Sequence, residues 1–324
     1  MHAWLCENPT GVDALTWQEL PTPEPGAGEV RVAIKAASLN FPDLLIVQNK
    51  YQLKPPLPFV PGAEYAGVVE AVGPGVSQLK IGQSVACLAG TGGFGSHVIA
   101  QAAQCLPLPD GFSHVDAAAF IMIYATSHHA LVDRAQLKAG ETVLILGAAG
   151  GVGTSAIQIA KAVGARVIAA ASTDEKCAFC KTLGADDTIN YSSQDLREAI
   201  KTLTQGKGPD VIYDPVGGNL AEPAFRSIAW RGRYLVVGFA GGEIPALPLN
   251  LTLLKGASLV GVFWGGFAKQ EPKASAAAMA ELVRWYAAGK IKPAIDRTMP
   301  MQELKAAYAR MGSREVKGKL VLVN

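Results

Sequence analysis

The pattern that governs the architecture of this chain is Val143-Leu144-Ile145-Leu146-Gly147-Ala148-Ala149-Gly150-Gly151-Val152-Gly153. Its first part is an uninterrupted apolar run, which is typical of a strand buried on both faces. Its second part is rich in glycine, and apolar residues then recur at helical spacing up to Val163. A buried strand, a glycine turn and a helix in this order predict the start of a parallel β-α-β unit.

The alternation of strands and helices continues along the chain. Apolar strand-type runs fall at 142–146, 166–171, 188–191, 211–213, 234–237 and 259–264, and helical segments fall at 152–163, 175–183, 196–203 and 223–229. Right-handed connections between such strands build a doubly wound parallel sheet, the Rossmann arrangement. We therefore predict a Rossmann domain in this part of the chain.

The residues before about 121 have a different character. Short β-type runs at 29–34 and 66–72 are separated by turn signals such as Gly73-Pro74-Gly75, which predicts an irregular, mostly-β domain. A helix at 274–288 and a strand at 319–322 are predicted near the end of the chain. The predicted fold class is therefore α/β, with one mostly-β domain and one doubly wound parallel-sheet domain.

The composition narrows the classes of partner. A chain of 324 residues with 49% hydrophobic and 17% charged residues favours two well-packed domains. The 29 Lys and Arg residues nearly balance the 27 Asp and Glu residues, so neither a nucleic acid nor a membrane surface is expected as a partner. The first residues do not resemble a signal peptide, and five irregularly spaced cysteines predict free thiols. We expect a cytoplasmic protein that binds a small molecule.

The glycine turn also carries a chemical prediction. Glycine allows a backbone to approach a pyrophosphate closely, and the N-terminus of the next helix offers free N–H groups and the positive end of its dipole. We therefore predict a dinucleotide site, although a tight turn without a ligand is the alternative. Ala148 replaces the first glycine of the usual fingerprint, which alters the turn slightly. The residues predicted to hold the cofactor here are Ala149, Gly150, Gly151, Val152 and Gly153.

Three further stretches accompany the glycine turn: 38–43 (Ser-Leu-Asn-Phe-Pro-Asp), 58–67 (Pro-Phe-Val-Pro-Gly-Ala-Glu-Tyr-Ala-Gly) and 318–322 (Gly-Lys-Leu-Val-Leu). Together with the turn, they resemble the quinone oxidoreductases of the medium-chain dehydrogenase/reductase superfamily. The resemblance implies a GroES-like domain over 1–121, completed by 267–324, and a Rossmann domain over 122–266. It also implies that the cofactor binds between the two domains.

Many members of that superfamily carry a catalytic zinc held by Cys, His and a further Cys or Asp. By resemblance, those positions fall on Asn40, Ala63 and Met122, none of which supplies a thiolate or an imidazole. The four-cysteine loop of a structural zinc is also missing, because only Cys87 and Cys105 lie in that region. We therefore expect no metal. Without a Lewis acid, reduction of an acceptor that is already electrophilic is favoured over alcohol oxidation.

The end of the second Rossmann strand indicates which cofactor is used. NAD enzymes usually place Asp or Glu there to bind the ribose hydroxyls, whereas this chain has Ala171-Ser172. Glu175 follows, but Ser172 with Glu175 fits a capping box at a helix start. The resemblance instead implies that Ser172, Lys176 and Tyr191 surround a 2′-phosphate, so NADPH is the expected cofactor. The alternative is that Lys176 is an ordinary surface lysine.

The same resemblance assigns further residues to the nicotinamide end of the cofactor. Asn40 and Tyr51 are expected to contact it, and Tyr51 is the candidate proton donor, unless both only shape the pocket. Thr126 is expected beside the nicotinamide or, alternatively, bonded to its own helix. Groups at strand ends complete the predicted set, namely Val237, Gly238, Phe239 and Phe263.

Two other motifs are assigned structural roles. His128 and His129 point about 100° apart on a helix, and no carboxylate or Cys is expected to partner them, so packing is expected rather than metal binding. Cys177 and Cys180 have the spacing of a redox pair, but they follow the second Rossmann strand, which predicts an ordinary helix.

These observations predict NADPH-dependent reduction of quinones or related conjugated carbonyl compounds by direct hydride transfer. An enoyl-thioester reductase is an alternative, for which Lys50 and Lys54 would be the basic groups. A low-turnover NADPH-binding protein with a structural or RNA-binding role is another. Residues 258–264 are expected to form an apolar edge strand, which predicts a homo-oligomer, by resemblance a homodimer.

Overall fold

The computed structural model describes residues 1–324 and divides into two compact units. The first comprises residues 1–122 and 295–324, and the second comprises residues 123–294. The first unit is mostly β and the second is a doubly wound α/β unit, which confirms the predicted fold class. None of the helices combines the length and the apolar character that a membrane span requires.

The chain forms 15 strands and 11 α-helices. The strands are β1 His2–Leu5, β2 Thr16–Glu19, β3 Glu29–Ser38, β4 Glu64–Val72, β5 Ser84–Leu88, β6 His97–Gln101, β7 Cys105–Pro107, β8 Thr142–Ile145, β9 Arg166–Ala171, β10 Asp187–Asn190, β11 Val211–Asp214, β12 Arg233–Val236, β13 Ser258–Gly261, β14 Ile295–Pro300 and β15 Lys319–Val323. The α-helices are α1 Phe41–Val47, α2 His114–Ala118, α3 Ile121–His128, α4 Gly151–Val163, α5 Asp174–Thr182, α6 Leu196–Leu203, α7 Ala221–Arg226, α8 Asn250–Lys255, α9 Trp264–Gln270, α10 Pro272–Ala287 and α11 Leu304–Gly312.

A seven-stranded sheet forms the frame of the first unit, in the order β14-β15-β3-β4-β5-β7 with β6 paired to β3. β15 runs antiparallel to β3, with Val321 opposite Ser38, so the C-terminal residues complete a sheet that begins with N-terminal residues. The core of the unit includes large buried rings such as Tyr65, Phe94 and Tyr308. Removing such rings from water is a major driving force for closing the unit.

The second unit contains six parallel strands in the order β10-β9-β8-β11-β12-β13. This is the Rossmann order, in which the direction of winding reverses between β8 and β11. Leu144, Ile168 and Ile212 lie in its core with no exposed surface, as expected for strands covered on both faces. The carboxyl ends of the strands meet at one edge of the sheet, which is where open sheets of this kind bind ligands.

The division between the units differs from the predicted one. We expected the return to the first domain to begin at 267, but residues 267–294 belong to the second unit. The physical reason is packing: the Phe267 ring stacks on His129 with centroids 4.2 Å apart, and Glu281 contacts His128 Nε2 at 3.0 Å. The first compact unit therefore resumes at residue 295, and the domain bounds expected from the sequence stay a prediction. Both histidines are buried, which agrees with the packing role expected for them, but His129 Nδ1 also lies 2.8 Å from the Asp133 carboxylate. The expectation that no carboxylate partners the two histidines was therefore wrong.

Candidate functional site

The glycine turn joins β8 to α4 in a conformation that needs glycine. Gly147 has a φ of 58°, in the left-handed region that side chains disfavour. A Cβ atom at Gly153 would lie 2.6 Å from the carbonyl oxygens of both Gly147 and Ala148. The Ala148 N–H donates to the Ala170 carbonyl at 3.0 Å, which ties the turn to β9. Glycine at these positions therefore lets the helix begin directly against the turn.

The N-terminus of α4 has the properties of an anion-binding site. The helix has 13 residues, and its N-cap, Gly150, has no side chain to bond the first N–H groups. No acidic residue lies in the first turn, so nothing there neutralises the positive end of the dipole. Gly151, Val152 and Gly153 thus carry the N–H groups of the first helical turn, while Ala149 and Gly150 lie in the turn before them.

Ser172, Lys176 and Tyr191 converge at the end of β9. The Lys176 Nζ atom lies 3.5 Å from the Ser172 hydroxyl oxygen. The Tyr191 N–H donates to the carbonyl of Ala171, the last residue of β9, at 3.1 Å. An ammonium and hydroxyl groups are the kind of donors that bind a phosphate. The structure therefore brings the Ser172 and Lys176 side chains together and ties the Tyr191 backbone to the end of β9, and their role at a 2′-phosphate stays a prediction.

The start of α5 corrects one prediction. We expected Ser172 and Glu175 to form a capping box, but the N-cap is Thr173, whose hydroxyl accepts the Lys176 N–H at 3.2 Å. Asp174 and Glu175 lie in the first turn of the helix, where negative charge interacts favourably with the dipole. α5 begins at Asp174, so Thr173 occupies the N-cap position and its hydroxyl accepts the N–H of the third helical residue. The Ser172 hydroxyl is not used as the cap.

Asp214, the last residue of β11, organises the turns at the same edge, and the sequence analysis missed it. Its carboxylate accepts the N–H groups of Val216 and Gly217, both at 2.8 Å. Its carbonyl accepts the N–H of Val237 at 2.9 Å and that of Gly238 at 3.3 Å. These two N–H groups are therefore bonded within the protein. The feature of the sequence that could have indicated Asp214 is an acidic residue directly after an apolar run.

Three other residues of the second unit were predicted to contact the cofactor, and each lies in a different environment. Phe239 packs near Gly217, where an added Cβ atom would lie 2.9 Å from its ring. Phe263 precedes α9 and is 70% exposed, so it contributes little to the core. Thr126 lies in α3 next to Ser127.

Ser127 was not predicted, yet it anchors α3 to the phosphate-binding end of α4. Its hydroxyl lies 3.0 Å from the Val152 carbonyl, 2.8 Å from the Ser155 hydroxyl and 2.9 Å from the Tyr213 hydroxyl. Because Thr126 precedes Ser127 on the same helix, this anchor also fixes the position of Thr126 relative to the first turn of α4.

A buried polar network lies at the end of β3 in the first unit, where the sequence analysis had singled out Asn40. The Asn40 amide nitrogen donates to Glu64 at 2.9 Å, and its oxygen accepts from the Lys319 ammonium at 2.5 Å. The Lys319 Nζ atom lies 3.7 Å from the Glu64 carboxylate. Lys319 and Glu64 are 3% and 0% exposed, so this ion pair is shielded from solvent. The Asn40 side chain is therefore held at both of its polar atoms.

Glu64 is the centre of this network. Its carboxylate also accepts the Ser38 hydroxyl at 3.0 Å and the Met122 N–H at 2.9 Å. These bonds satisfy a charge that would otherwise be costly to bury. Neither Glu64 nor Lys319 was predicted as a site residue. The sequence signal that could have indicated them is a charged residue at the first position of a largely apolar strand, since Glu64 begins β4 and Lys319 begins β15.

Asp43 lies beside the network. It is buried, and its carboxylate accepts the N–H groups of Asn40 at 2.8 Å and Ala63 at 2.9 Å. Burial raises the pKa of Asp43 to about 7, and its N–H bonds and the Lys319 ammonium oppose that rise. Burial, followed by the Asp43 charge, also raises the pKa of Tyr51. The Tyr51 phenol is therefore protonated at neutral pH, as a proton donor must be.

The three positions compared above with zinc ligands carry an amide, a methyl group and a thioether. The Asn40 amide is already bonded to Glu64 and Lys319, and the backbone N–H groups of Ala63 and Met122 are bonded to carboxylates. Nowhere in the structure do three or more His, Cys, Asp or Glu side chains come together in a group that could hold a metal ion.

Comparison with known proteins identifies the class of this chain. The family model "Alcohol dehydrogenase GroES-like domain" matches residues 26–110, and "Zinc-binding dehydrogenase" matches residues 151–283. With the mostly-β unit and the Rossmann sheet, these matches define a medium-chain dehydrogenase/reductase. Within that superfamily, the chain belongs to the quinone oxidoreductase family, which confirms the resemblance seen in the sequence.

Individual relatives show how far the likeness extends. The chain is 37% identical over 309 residues to quinone oxidoreductase-like protein 2 of Rattus norvegicus, covering 95% of this chain and 88% of that protein. The quinone oxidoreductase of Thermus thermophilus, solved alone and with NADPH, is 32% identical with a TM-score of 0.87, and each chain is covered completely. Phthioceranic/hydroxyphthioceranic acid synthase of Mycobacterium bovis is 33% identical over 303 residues, which are 92% of this chain but 14% of the synthase.

Proposed function

We propose that this oxidoreductase uses NADPH to reduce quinones or related conjugated carbonyl compounds by direct hydride transfer, without a metal. The observation that carries the proposal is the buried network of Asn40, Glu64 and Lys319, in which Asn40 is one of the three positions compared with zinc ligands. The Asn40 amide is already bonded to both partners, and neither Ala63 nor Met122 offers the thiolate or imidazole that zinc prefers. Quinones and enones are electrophilic without a Lewis acid, so their reduction suits such a site.

The residues of the second unit fit NADPH. The open N-terminus of α4 would hold the pyrophosphate, and Ser172, Lys176 and Tyr191 would hold the 2′-phosphate. When bound, NADPH supplies a hydride from C4 of its nicotinamide. The Thermus thermophilus structure with NADPH supports this assignment.

Asn40 and Tyr51 are proposed to act at the nicotinamide end. Asn40 would present a fixed amide to the cofactor, because Glu64 and Lys319 hold both of its polar atoms. Tyr51 would donate a hydrogen bond or a proton to the acceptor oxygen as that oxygen gains negative charge. The remaining residues assigned to nicotinamide binding are Thr126, Val237, Gly238, Phe239 and Phe263.

An enoyl-thioester reductase is the second candidate function. The 33% identity to part of the mycobacterial synthase favours it, because such a synthase handles acyl chains. Lys50 and Lys54 are exposed and lie on either side of Tyr51 in the sequence, where they would contact the phosphates of an acyl carrier. A substrate panel separates the two functions.

The test is the rate of NADPH oxidation with matched quinones, enones and enoyl thioesters. We expect turnover with quinones or enones to exceed turnover with thioesters. The double variant Lys50→Ala and Lys54→Ala should leave quinone turnover unchanged, because a quinone has no phosphate to bind. Turnover only with thioesters, lost in this double variant, would establish the second candidate. Tight NADPH binding without any turnover would contradict both.

A further inference from the structure

Two cysteines of the first unit lie directly opposite each other. β5 and β7 are antiparallel, and Cys87 pairs with Cys105 in their register. Tyr65 pairs with Cys87 on the other side, so the three residues form one row across β4, β5 and β7. Residues in register on neighbouring strands point to the same face of a sheet. The row belongs to the core of the first unit.

The two sulfur atoms are in contact. The Cys87 and Cys105 Sγ atoms are 3.3 Å apart, and the Cys87 thiol donates to the Cys105 sulfur. Opposite residues of an antiparallel pair have Cα atoms about 4.5–5.5 Å apart, which lies within the range of about 4.4–6.8 Å found in disulfides. The bond can therefore form without a change of strand register.

We propose that Cys87 and Cys105 form a redox-active dithiol that hydroperoxides convert into an intramolecular disulfide. No part of the proposed NADPH chemistry uses either residue, so this site is separate from the reductase function. It is also distinct from the Cys177 and Cys180 spacing, which the sequence analysis had considered and assigned to an ordinary helix.

The two sulfurs have different roles in the reaction. Cys105 is 8% exposed and lies on β7, a strand of three residues at the edge of its sheet, whereas Cys87 is 0% exposed on an inner strand. The hydrogen bond from Cys87 lowers the pKa of Cys105, which favours its thiolate. Cys105 is therefore the thiol that meets the oxidant, and Cys87 is the thiol that resolves the product.

The reaction balances in two steps. The Cys105 thiolate attacks one peroxide oxygen, the O–O bond breaks, and the departing oxygen leaves as water or an alcohol after protonation. Cys105 is then a sulfenic acid. The Cys87 sulfur attacks the Cys105 sulfur, the S–OH bond breaks, and the hydroxide leaves as water with the Cys87 proton. The pair of thiols loses two electrons in total, and the hydroperoxide gains them.

The other cysteines provide internal controls. Cys6 and Cys180 are fully buried, and burial raises the pKa of the Cys6, Cys177 and Cys180 thiols. Cys177 is 7% exposed, nearly as much as Cys105, so it is the control that matches Cys105 in exposure. None of the three has a hydrogen-bonded sulfur partner like that of Cys105. They are expected to remain reduced under conditions that oxidise the opposed pair.

The experiment treats the folded full-length protein with hydrogen peroxide, alkylates the remaining thiols under denaturing conditions and maps the peptides by mass spectrometry. We expect a disulfide-linked peptide pair containing Cys87 and Cys105, its reversal by dithiothreitol, and alkylation of Cys6, Cys177 and Cys180. Persistence of both opposed thiols, or oxidation of Cys177 and Cys180 at the same rate, would overturn the proposal.

Two variants test the order of events. In Cys87→Ala, Cys105 should accumulate as a sulfenic acid that a dimedone probe traps, because no resolving thiol is present. In Cys105→Ala, Cys87 should stay reduced because it is not exposed. Equal dimedone labelling of the two variants would contradict the assigned roles. Circular dichroism checks that each variant is folded. If a variant does not fold, the peptide map of the wild-type protein decides the proposal.

Discussion

Lys319 is the residue on which the proposed metal-free site depends. Its ammonium donates to the Leu39 carbonyl at 2.7 Å as well as to Asn40, and it faces the buried Glu64 carboxylate. Burial lowers the pKa of Lys319, while the Glu64 and Asp43 charges oppose that change. A buried pair of this kind contributes little net stability, but removal of one partner leaves an uncompensated charge.

The variant Lys319→Met is therefore expected to lower the free energy of unfolding by about 3–5 kcal/mol, measured by denaturant titration. Lys80→Met is the matched control, because Lys80 is exposed, and its effect should stay within about 0.5 kcal/mol. Adding Glu64→Gln to Lys319→Met should recover part of the lost stability. Wild-type stability in Lys319→Met would show that the ion pair does not carry this role.

Lys176 is the residue expected to distinguish the two nicotinamide cofactors. Its Nζ atom lies beside the Ser172 hydroxyl, so Lys176→Ala should raise the KM for NADPH about tenfold, on the order of 1.4 kcal/mol, and barely change the KM for NADH. Lys207→Ala, an exposed lysine elsewhere in the second unit, is the control. Equal losses with both cofactors, or a wild-type preference for NADH, would show that Lys176 does not bind the phosphate.

Among the elements, β13 is a strand that pairs with a neighbouring strand on one side only. It ends the six-stranded sheet, with Leu259 38% exposed. Other apolar side chains near it in the sequence are more exposed, at 80% for Leu253, 66% for Leu254 and 70% for Phe263. An apolar edge strand with unpaired backbone groups favours pairing with another chain.

We expect the wild-type protein to sediment as a homodimer or a larger oligomer at micromolar concentration. Leu259→Lys should shift it towards the monomer, because a charged side chain on the edge strand opposes close pairing of a second chain. Ile81→Lys introduces the same charge at a residue of the first unit that is 64% exposed, and it should leave the sedimentation unchanged. A monomeric wild-type protein would rule out this interface.

At the scale of the whole molecule, each unit contributes a different part of the proposed chemistry. The first unit holds Asn40, Tyr51 and the buried network, and the second holds the glycine turn and the predicted phosphate-binding residues. The proposed reaction uses residues of both units and no metal ion. The metal content of the purified protein therefore tests the proposed reaction.

Metal analysis of protein purified without an affinity tag should find no stoichiometric zinc, and a chelator should leave the rate of NADPH oxidation unchanged. The reason is that Asn40, Ala63 and Met122 offer neither a thiolate nor an imidazole. A zinc-dependent alcohol dehydrogenase assayed in parallel confirms that the chelator is effective. Stoichiometric zinc together with chelator-sensitive turnover would overturn the metal-free mechanism.

The local elements were predictable from the sequence because their causes are local. Apolar periodicity predicted β8 to β12 and α4 to α6 close to their observed bounds, and β13 was the exception, since it ends at Gly261 rather than at 264. The glycine turn was also predictable, because strand, turn and helix follow one another within a short segment. Ser172 and Lys176 lie on one such segment, and the structure places them together.

Contacts between distant parts of the chain were decided only by the tertiary structure. Asn40 and Lys319 are 279 residues apart, and they meet because β15 returns to pair with β3. The placement of residues 267–294 in the second unit likewise depends on packing against His128 and His129. The sequence by itself determined the α/β class and the glycine turn between β8 and α4, since hydrophobic periodicity and glycine conformation act within a few residues. The sequence left open which strands of the mostly-β unit are neighbours, because strand pairing depends on burying apolar faces over the whole unit. That pairing brings together the residues of the polar network and the two opposed cysteines.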